Sequence, residues 1–182
     1  MIAIDLARLI QLTPKPVMDR ARSCISRVLY NRVRDSDDAG FKYLEVILRS
    51  RCQDSDHSYL TVVRFDRFGV IKNPVHHPTW VRCSCPYFLY YVEVALSRHG
   101  STSVYYSNGM YPMIRNPKLR PYMCKHLISS VNPAVHTLQQ EMRAEQKKTE
   151  GLGAKIRKLP GMLKRLLRRG RDSEERPGSD II

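Results

Sequence analysis

The sequence predicts an α+β protein: a small antiparallel β-meander within a ββα core, helices before it, and a long helix with a basic tail after it. Three observations predict this class. Near both ends of the chain, apolar residues recur every three to four positions, as on one face of a helix. In the centre, runs rich in β-branched residues are separated by polar turns. Two short pairs of cysteine and histidine residues connect the last of these runs to a later helix.

The first part of the chain, residues 1–40, predicts an N-terminal helical arm. An apolar stripe in residues 1–12 predicts a short amphipathic helix that ends at Pro14 and Pro16. Residues 17–34 predict a second helix, with arginines over much of its surface. The first helix is expected to dock on its own core or on a partner, because so short a helix is not stable alone in water.

The next part, residues 41–131, predicts the compact core. Its first two strands are separated by a polar loop, which is typical of an antiparallel hairpin, and a third strand is expected beside them. The three strands are predicted at residues 43–52, 59–65 and 78–83. After them, the apolar spacing predicts a helix from Pro86 to Ser97, and Gly100 is its expected end.

The segment of residues 101–122 is predicted to be a loop. It carries three prolines and an Asn108-Gly109 turn signal. Because a loop of this length is uncommon inside a compact domain, we expect it to be functional or to be held at both ends.

The C-terminal part predicts helix and then tail. From Met123 a helix is expected, which Asn132-Pro133 interrupts or kinks. Residues 132–150 predict a mostly polar, projecting helix that lies in solvent or on a partner. Residues 151–182 predict a basic amphipathic tail. Its predicted partner-binding residues are Lys155, Arg157, Lys158, Lys164, Arg165, Arg168, Arg169 and Arg171.

Two residue pairs predict a metal site. Cys83 and Cys85 end the third predicted strand, and Cys124 and His126 open the helix after the loop. Three thiolates and one imidazole are the ligand set of a closed, tetrahedral, structural Zn²⁺ site. Such a site has no open position for water, and the sequence has neither a Gly-rich phosphate loop nor a Gly-x-Ser-x-Gly motif. The protein is therefore predicted not to be an enzyme, with no catalytic residues.

The order Cys-x-Cys, insert, Cys-x-His on a ββα frame resembles the SWIM zinc finger, over roughly residues 59–131. The insert of 38 residues between Cys85 and Cys124 is longer than in most members. The sequences Val-Arg-Cys-Ser-Cys-Pro-Tyr-Phe-Leu-Tyr at 81–90 and Pro-Tyr-Met-Cys-Lys-His-Leu at 121–127 resemble a long-insert variety in virion structural proteins of tailed bacteriophages. The resemblance implies contact with DNA or with other proteins.

Composition restricts the remaining interpretations. The net charge of +14 attracts polyanions, and no apolar run approaches the ~20 residues that span a bilayer. The N-terminus is a poor signal peptide.

Cys24 and Cys52 are expected to be plain buried residues in a reduced intracellular setting. His76 and His77 are interpreted as part of a polar loop rather than as metal ligands.

Three functions follow from these observations. The preferred prediction is a structural adaptor of a phage particle, at the baseplate or neck, which is made in the host cytoplasm and binds other virion proteins through its basic arms. Its oligomeric state would then be set by the assembly. The alternative is a DNA- or RNA-binding zinc-finger protein, in which the tyrosines at 87, 90, 91, 105 and 106 stack on bases. A membrane-surface role for residues 155–171 is the least favoured.

Overall fold

The computed structural model describes residues 3–36, 40–53, 55–104, 110 and 112–157, with the backbone alone described for residues 152–157. The chain divides into two compact units, Met1–Met142 and Arg143–Ile182. In chain order the elements are α1 (Leu6–Leu12), α2 (Lys15–Ala21), β1 (Cys24–Asp35), β2 (Lys42–Cys52), β3 (Ser58–Phe68), a 3₁₀ turn (Pro74–His76), β4 (Thr79–Cys83), α3 (Pro86–Tyr91), α4 (Glu93–Ser97) and α5 (Lys125–Arg157).

The four strands form one antiparallel sheet in the order β1-β2-β3-β4. This confirms the α+β class, and the three predicted strands correspond to β2, β3 and β4. Side chains alternate between the two faces of the sheet, so one face of β2 carries the fully buried Leu44, Val46 and Leu48. Phe65 of β3 and Val81 of β4 continue this apolar inner face.

The predicted helix over residues 17–34 is wrong after α2. Cys24–Asp35 forms the edge strand β1, which pairs with β2 along its length, so the segment of residues 1–40 is not a purely helical arm. A β-bulge explains the error, because the register shifts between Val28 and Tyr30. The alternation of inward and outward side chains changes phase there, which hides the period of two in the sequence.

Helix α1 docks on the core of its own chain, as one of the two predicted possibilities. Its N-cap is Asp5, whose carboxylate accepts a hydrogen bond from the backbone N–H of Arg8 at 2.7 Å. Leu6 and Leu9 are fully buried in the same apolar cluster as the sheet. The backbone N–H of Leu6 also donates to the carbonyl of His77 at 3.3 Å, which fixes α1 to the segment before β4.

Helix α5 continues through Pro133, so the predicted interruption does not occur. Ala134 and Leu138 are fully buried in the core, which places the first part of the predicted projecting helix, residues 132–150, among core elements. The helix also extends to Arg157, beyond the predicted start of the tail. Among the described residues, none of the helices combines the length and the hydrophobicity of a membrane-spanning segment.

The segment between the two ligand pairs begins with helices and ends as an irregular loop. The predicted helix from Pro86 is divided at Val92 into α3 and α4. The side chain of Asn116 holds the loop, because its Nδ2 donates to the carbonyls of Tyr91 and Arg120 at 3.0 Å each. Its Oδ1 accepts from the backbone N–H of Arg120 at 3.0 Å. This buried amide ties the end of the loop back to α3.

Candidate metal centre

The four predicted ligands come from three places in the fold. Cys83 is the last residue of β4, and Cys85 is the N-cap of α3. Cys124 immediately precedes α5, and His126 lies in its first turn. The strand end and the two helix starts therefore meet at one point.

The side chains of all four residues converge. Their ligand atoms (one from each side chain) all lie within 4.8 Å of one another, and each residue is buried, with His126 the most exposed at 4%. Among the described residues, His126 Nδ1 is a buried nitrogen without a hydrogen-bond partner. A buried imidazole nitrogen and three thiols are a donor set that fits a metal ion. This cluster could therefore hold a metal through Cys83, Cys85, Cys124 and His126.

Backbone groups support the sulfur atoms. The N–H of Cys85 donates to Cys83 Sγ at 3.4 Å, and the N–H of Phe88 donates to Cys85 Sγ at 3.4 Å. These contacts favour the thiolate form, in which sulfur is a metal ligand. The ring of Tyr59 packs on that of His126, with centroids 4.6 Å apart, and restricts the orientation of the imidazole.

Burial and mutual hydrogen bonding shift the pKa values of the three thiols in different directions. Burial raises the pKa of Cys83 and of Cys124. Hydrogen bonds from Cys124 and Cys83 lower the pKa of Cys85. Because thiolate is the form that binds a metal ion, metal binding would release protons from the thiols, and metal affinity should rise with pH.

A cleft of about 210 Å³ reaches this centre from the surface. Its walls include the ligand residues Cys85, Cys124 and His126 together with the basic residues Arg20 and Lys125. The cleft is a route by which a metal ion can enter a site whose ligands are otherwise buried.

The expectation that Cys24 and Cys52 are plain buried thiols is wrong in this structure. The two residues lie directly opposite each other on β1 and β2, and their sulfur atoms form a disulfide. Both sulfurs also lie within 4.8 Å of a His126 ring nitrogen. The helical pattern around Cys24 conceals this pair in the sequence, because only the antiparallel pairing of β1 with β2 brings Cys24 opposite Cys52.

The other predicted residues are placed as follows. Lys155 and Arg157 lie in the last turns of α5, whereas the other six predicted basic residues of the tail lie outside the described residues. His76 lies 3.6 Å from the Asp5 carboxylate. His77 is fully buried in the segment between the 3₁₀ turn and β4, and neither histidine belongs to a metal-ligating group within the described chain.

Of the tyrosines proposed to stack on bases, the three in the described part of the chain differ in exposure. Tyr87 packs against Tyr122, with the two hydroxyl oxygens 3.0 Å apart, and Tyr91 is half-buried beside it. Tyr90 is exposed, while the predicted pair at 105 and 106 lies outside the described residues. Comparison with protein-family models, with curated proteins and with solved structures finds no match to this chain.

Proposed function

We propose that the protein is a non-catalytic structural adaptor whose core is held together by one zinc ion. The observation that carries this proposal is the convergence of three buried thiols and one buried imidazole from β4, α3 and α5. Zinc is the metal that commonly takes a Cys₃His ligand set, with four protein ligands in a tetrahedron. Cys83, Cys85, Cys124 and His126 would fill all four positions, so no site is left for a reacting water.

The proposed zinc would stabilise the part of the fold in which short helices lie next to the metal site. Helices α3 and α4 span six and five residues and are joined to the core by the loop that Asn116 holds. Helices of this length gain little stability from their own hydrogen bonds. A metal bound at the end of β4, at the start of α3 and at the start of α5 would fix all three, as in the SWIM zinc finger that the sequence resembles.

The loop between the ligand pairs supports an adaptor role. Met110, Met113 and Ile114 are 75%, 81% and 87% exposed, and they lie close together in the chain. Neighbouring exposed apolar side chains are typical of a surface that another protein covers. Binding of neighbouring subunits by this loop and by the basic tail would suit a virion protein of the baseplate or neck, the assembly suggested by the sequence resemblance.

Incorporation into particles tests this function. The tagged chain is expressed in the host during phage infection. The phage particles are then purified on a density gradient, and their protein content is measured by quantitative mass spectrometry. We expect the chain to band with the particles in a fixed copy number, and Met113→Glu/Ile114→Glu to reduce that number. The control Val70→Glu/Tyr90→Glu makes the same charge change at exposed apolar residues elsewhere and should leave incorporation intact. A chain that is absent from the particles would contradict the virion assignment.

A further inference from the structure

The sheet has a second face, opposite its buried apolar face, that is rich in arginine. Strand alternation and the pairing register place these arginines on the same side as the exposed Ile25 and Leu60. We call this surface the arginine face. Its arginines are Arg27, Arg32 and Arg34 on β1, Arg49 and Arg51 on β2, Arg64 on β3 and Arg82 on β4.

Carboxylates balance only part of this charge. Arg32 Nε donates to Glu45 at 2.7 Å, and Arg64 Nε donates to Asp66 at 2.6 Å. Arg51 lies 3.5 Å from Asp56, but both side chains are well exposed, so this ion pair is weak. For Arg27, Arg34 and Arg49, no carboxylate lies within ion-pair distance in the described part of the chain. The face therefore presents an excess of positive charge.

Arg27 and Arg49 are direct cross-strand partners in the β1–β2 ladder. Like charges at directly opposite positions are destabilising, since their Cβ atoms are only about 5 Å apart. An anion that contacts both guanidinium groups would offset this repulsion. The space for such a ligand exists, because Ile25, Arg27, Arg49 and Arg51 line an open depression of about 800 Å³.

Aromatic and aliphatic groups lie among the arginines. Tyr30 is 48% exposed at the edge of the face, and Leu60 is 49% exposed directly opposite Arg49 on β3. A guanidinium lies over each of the two tyrosine rings of this face, that of Arg64 at 4.3 Å from the Tyr43 centroid and that of Arg32 at 5.9 Å from the Tyr30 centroid. Tyr43 is half-buried, so Tyr30 is the more accessible ring. Arginines next to an exposed tyrosine match a ligand that combines phosphates with flat bases.

The width of the arginine face favours single-stranded nucleic acid over a duplex as its ligand. Strands in a sheet are about 4.8 Å apart, and arginines are present on all four of them. The major groove of DNA, about 12 Å wide, admits a helix or a two-stranded ribbon rather than the face of a four-stranded sheet. Unpaired bases, in contrast, can lie flat on an exposed sheet and stack on its aromatic side chains.

We propose that the arginine face binds single-stranded nucleic acid, with Arg27, Arg49 and Arg51 contacting phosphates and Tyr30 stacking on a base. This binding goes beyond the adaptor function and does not depend on it. The surface is also different from the tyrosines near the metal ligands, on which the sequence-based nucleic-acid hypothesis relied.

The test measures the affinity of the full chain for fluorescein-labelled oligothymidine and oligouridine of about 20 nucleotides by fluorescence anisotropy, at several salt concentrations. Arg27→Gln/Arg49→Gln should weaken binding about tenfold or more at ~0.1 M salt, and should reduce the slope of log K against log salt by about 1.4. Tyr30→Ala should weaken binding, whereas Tyr30→Phe should retain it.

The matched control is Arg8→Gln/Arg120→Gln, which removes the same charge from exposed arginines outside the arginine face. This control should leave the affinity for the oligonucleotide nearly unchanged. Because the basic tail is identical in all of these proteins, it does not contribute to the differences between them. The proposal is overturned if the wild-type chain does not bind, if both double variants weaken binding equally, or if duplex DNA competes as well as the single strand. Displacement of the oligonucleotide by polyglutamate as effectively as by unlabelled oligothymidine would instead assign the face to an acidic protein.

Discussion

Ser130 Oγ of α5 lies 2.8 Å from Thr61 Oγ1 of β3, and both side chains are fully buried. Ser130 Oγ also donates to the carbonyl of His126 at 2.8 Å. A buried hydroxyl pair thus joins the sheet to the helix one turn after the proposed metal ligand. Nearby, Ser129 makes similar contacts with Ser26 at 2.7 Å and with Ser50 at 3.0 Å. These hydroxyls fix where the start of α5 lies on the sheet.

The first prediction concerns this hydroxyl pair. Ser130→Ala should lower the free energy of unfolding by about 1–3 kcal/mol, because it leaves the buried Thr61 hydroxyl with only a 3.5 Å contact to the Leu48 carbonyl. Thr61→Val/Ser130→Ala removes both partners and should be less destabilising than the sum of the two single variants. Urea denaturation measures all three, and additive losses would contradict the coupling.

The second prediction concerns the disulfide between β1 and β2. Cys24→Ser/Cys52→Ser should lower the free energy of unfolding by about 3.5 kcal/mol in the chain-entropy model, because the bridge closes a loop with a sequence separation of 28. In the wild-type protein, alkylation after denaturation and metal removal should modify three cysteines before reduction and five after it. Modification of five cysteines without reduction would show that this pair is reduced.

The third prediction concerns the pH dependence of stability. Burial lowers the pKa of His77 below its ordinary 6.5, although its Nδ1 lies 2.8 Å from the carbonyl of Asp66. Below pH 6.5 the unfolded chain therefore binds a proton that the folded chain binds only at lower pH, so stability falls as the pH drops through this window. His77→Asn keeps a donor for the Asp66 carbonyl but does not titrate.

Urea denaturation at pH 7.5 and at pH 5.5 compares the two proteins. The wild type should lose more stability than His77→Asn over this interval, since the metal site is the same in both and contributes equally. Equal losses would show that His77 is not the group responsible.

Sequence reasoning predicted the features that have strong local signals. Inward and outward side chains alternate regularly along β2 to β4. Helices α1 and α4 end just before the proline and glycine residues that are predicted to stop them. The four ligands were predicted because a Cys-x-Cys at a strand end and a Cys-x-His at a helix start are compact patterns. The structure brings their ligand atoms together in one buried cluster.

What could not be predicted depends on contacts between distant residues. The bulge in β1 changes the phase of its side chains, so a strand resembled a helix and Cys24 was separated from Cys52. Pro133 is expected from the sequence to interrupt or kink α5, but the helix is not interrupted there. Ala134 and Leu138, which follow it, are fully buried in the core, and such tertiary packing can override local helix propensity. The arginine face likewise emerges only when four strands are placed side by side.

The proposed function requires that Cys83, Cys85, Cys124 and His126 hold one structural zinc ion. Native mass spectrometry of the purified chain, with elemental analysis of the metal, tests it most directly. We expect one zinc per chain in the wild type and in Cys24→Ser/Cys52→Ser. We expect none in Cys124→Ser, with a melting temperature lower by about 10 °C or more. A wild-type chain without metal, a Cys124→Ser protein that keeps its zinc, or loss of zinc in Cys24→Ser/Cys52→Ser would contradict it.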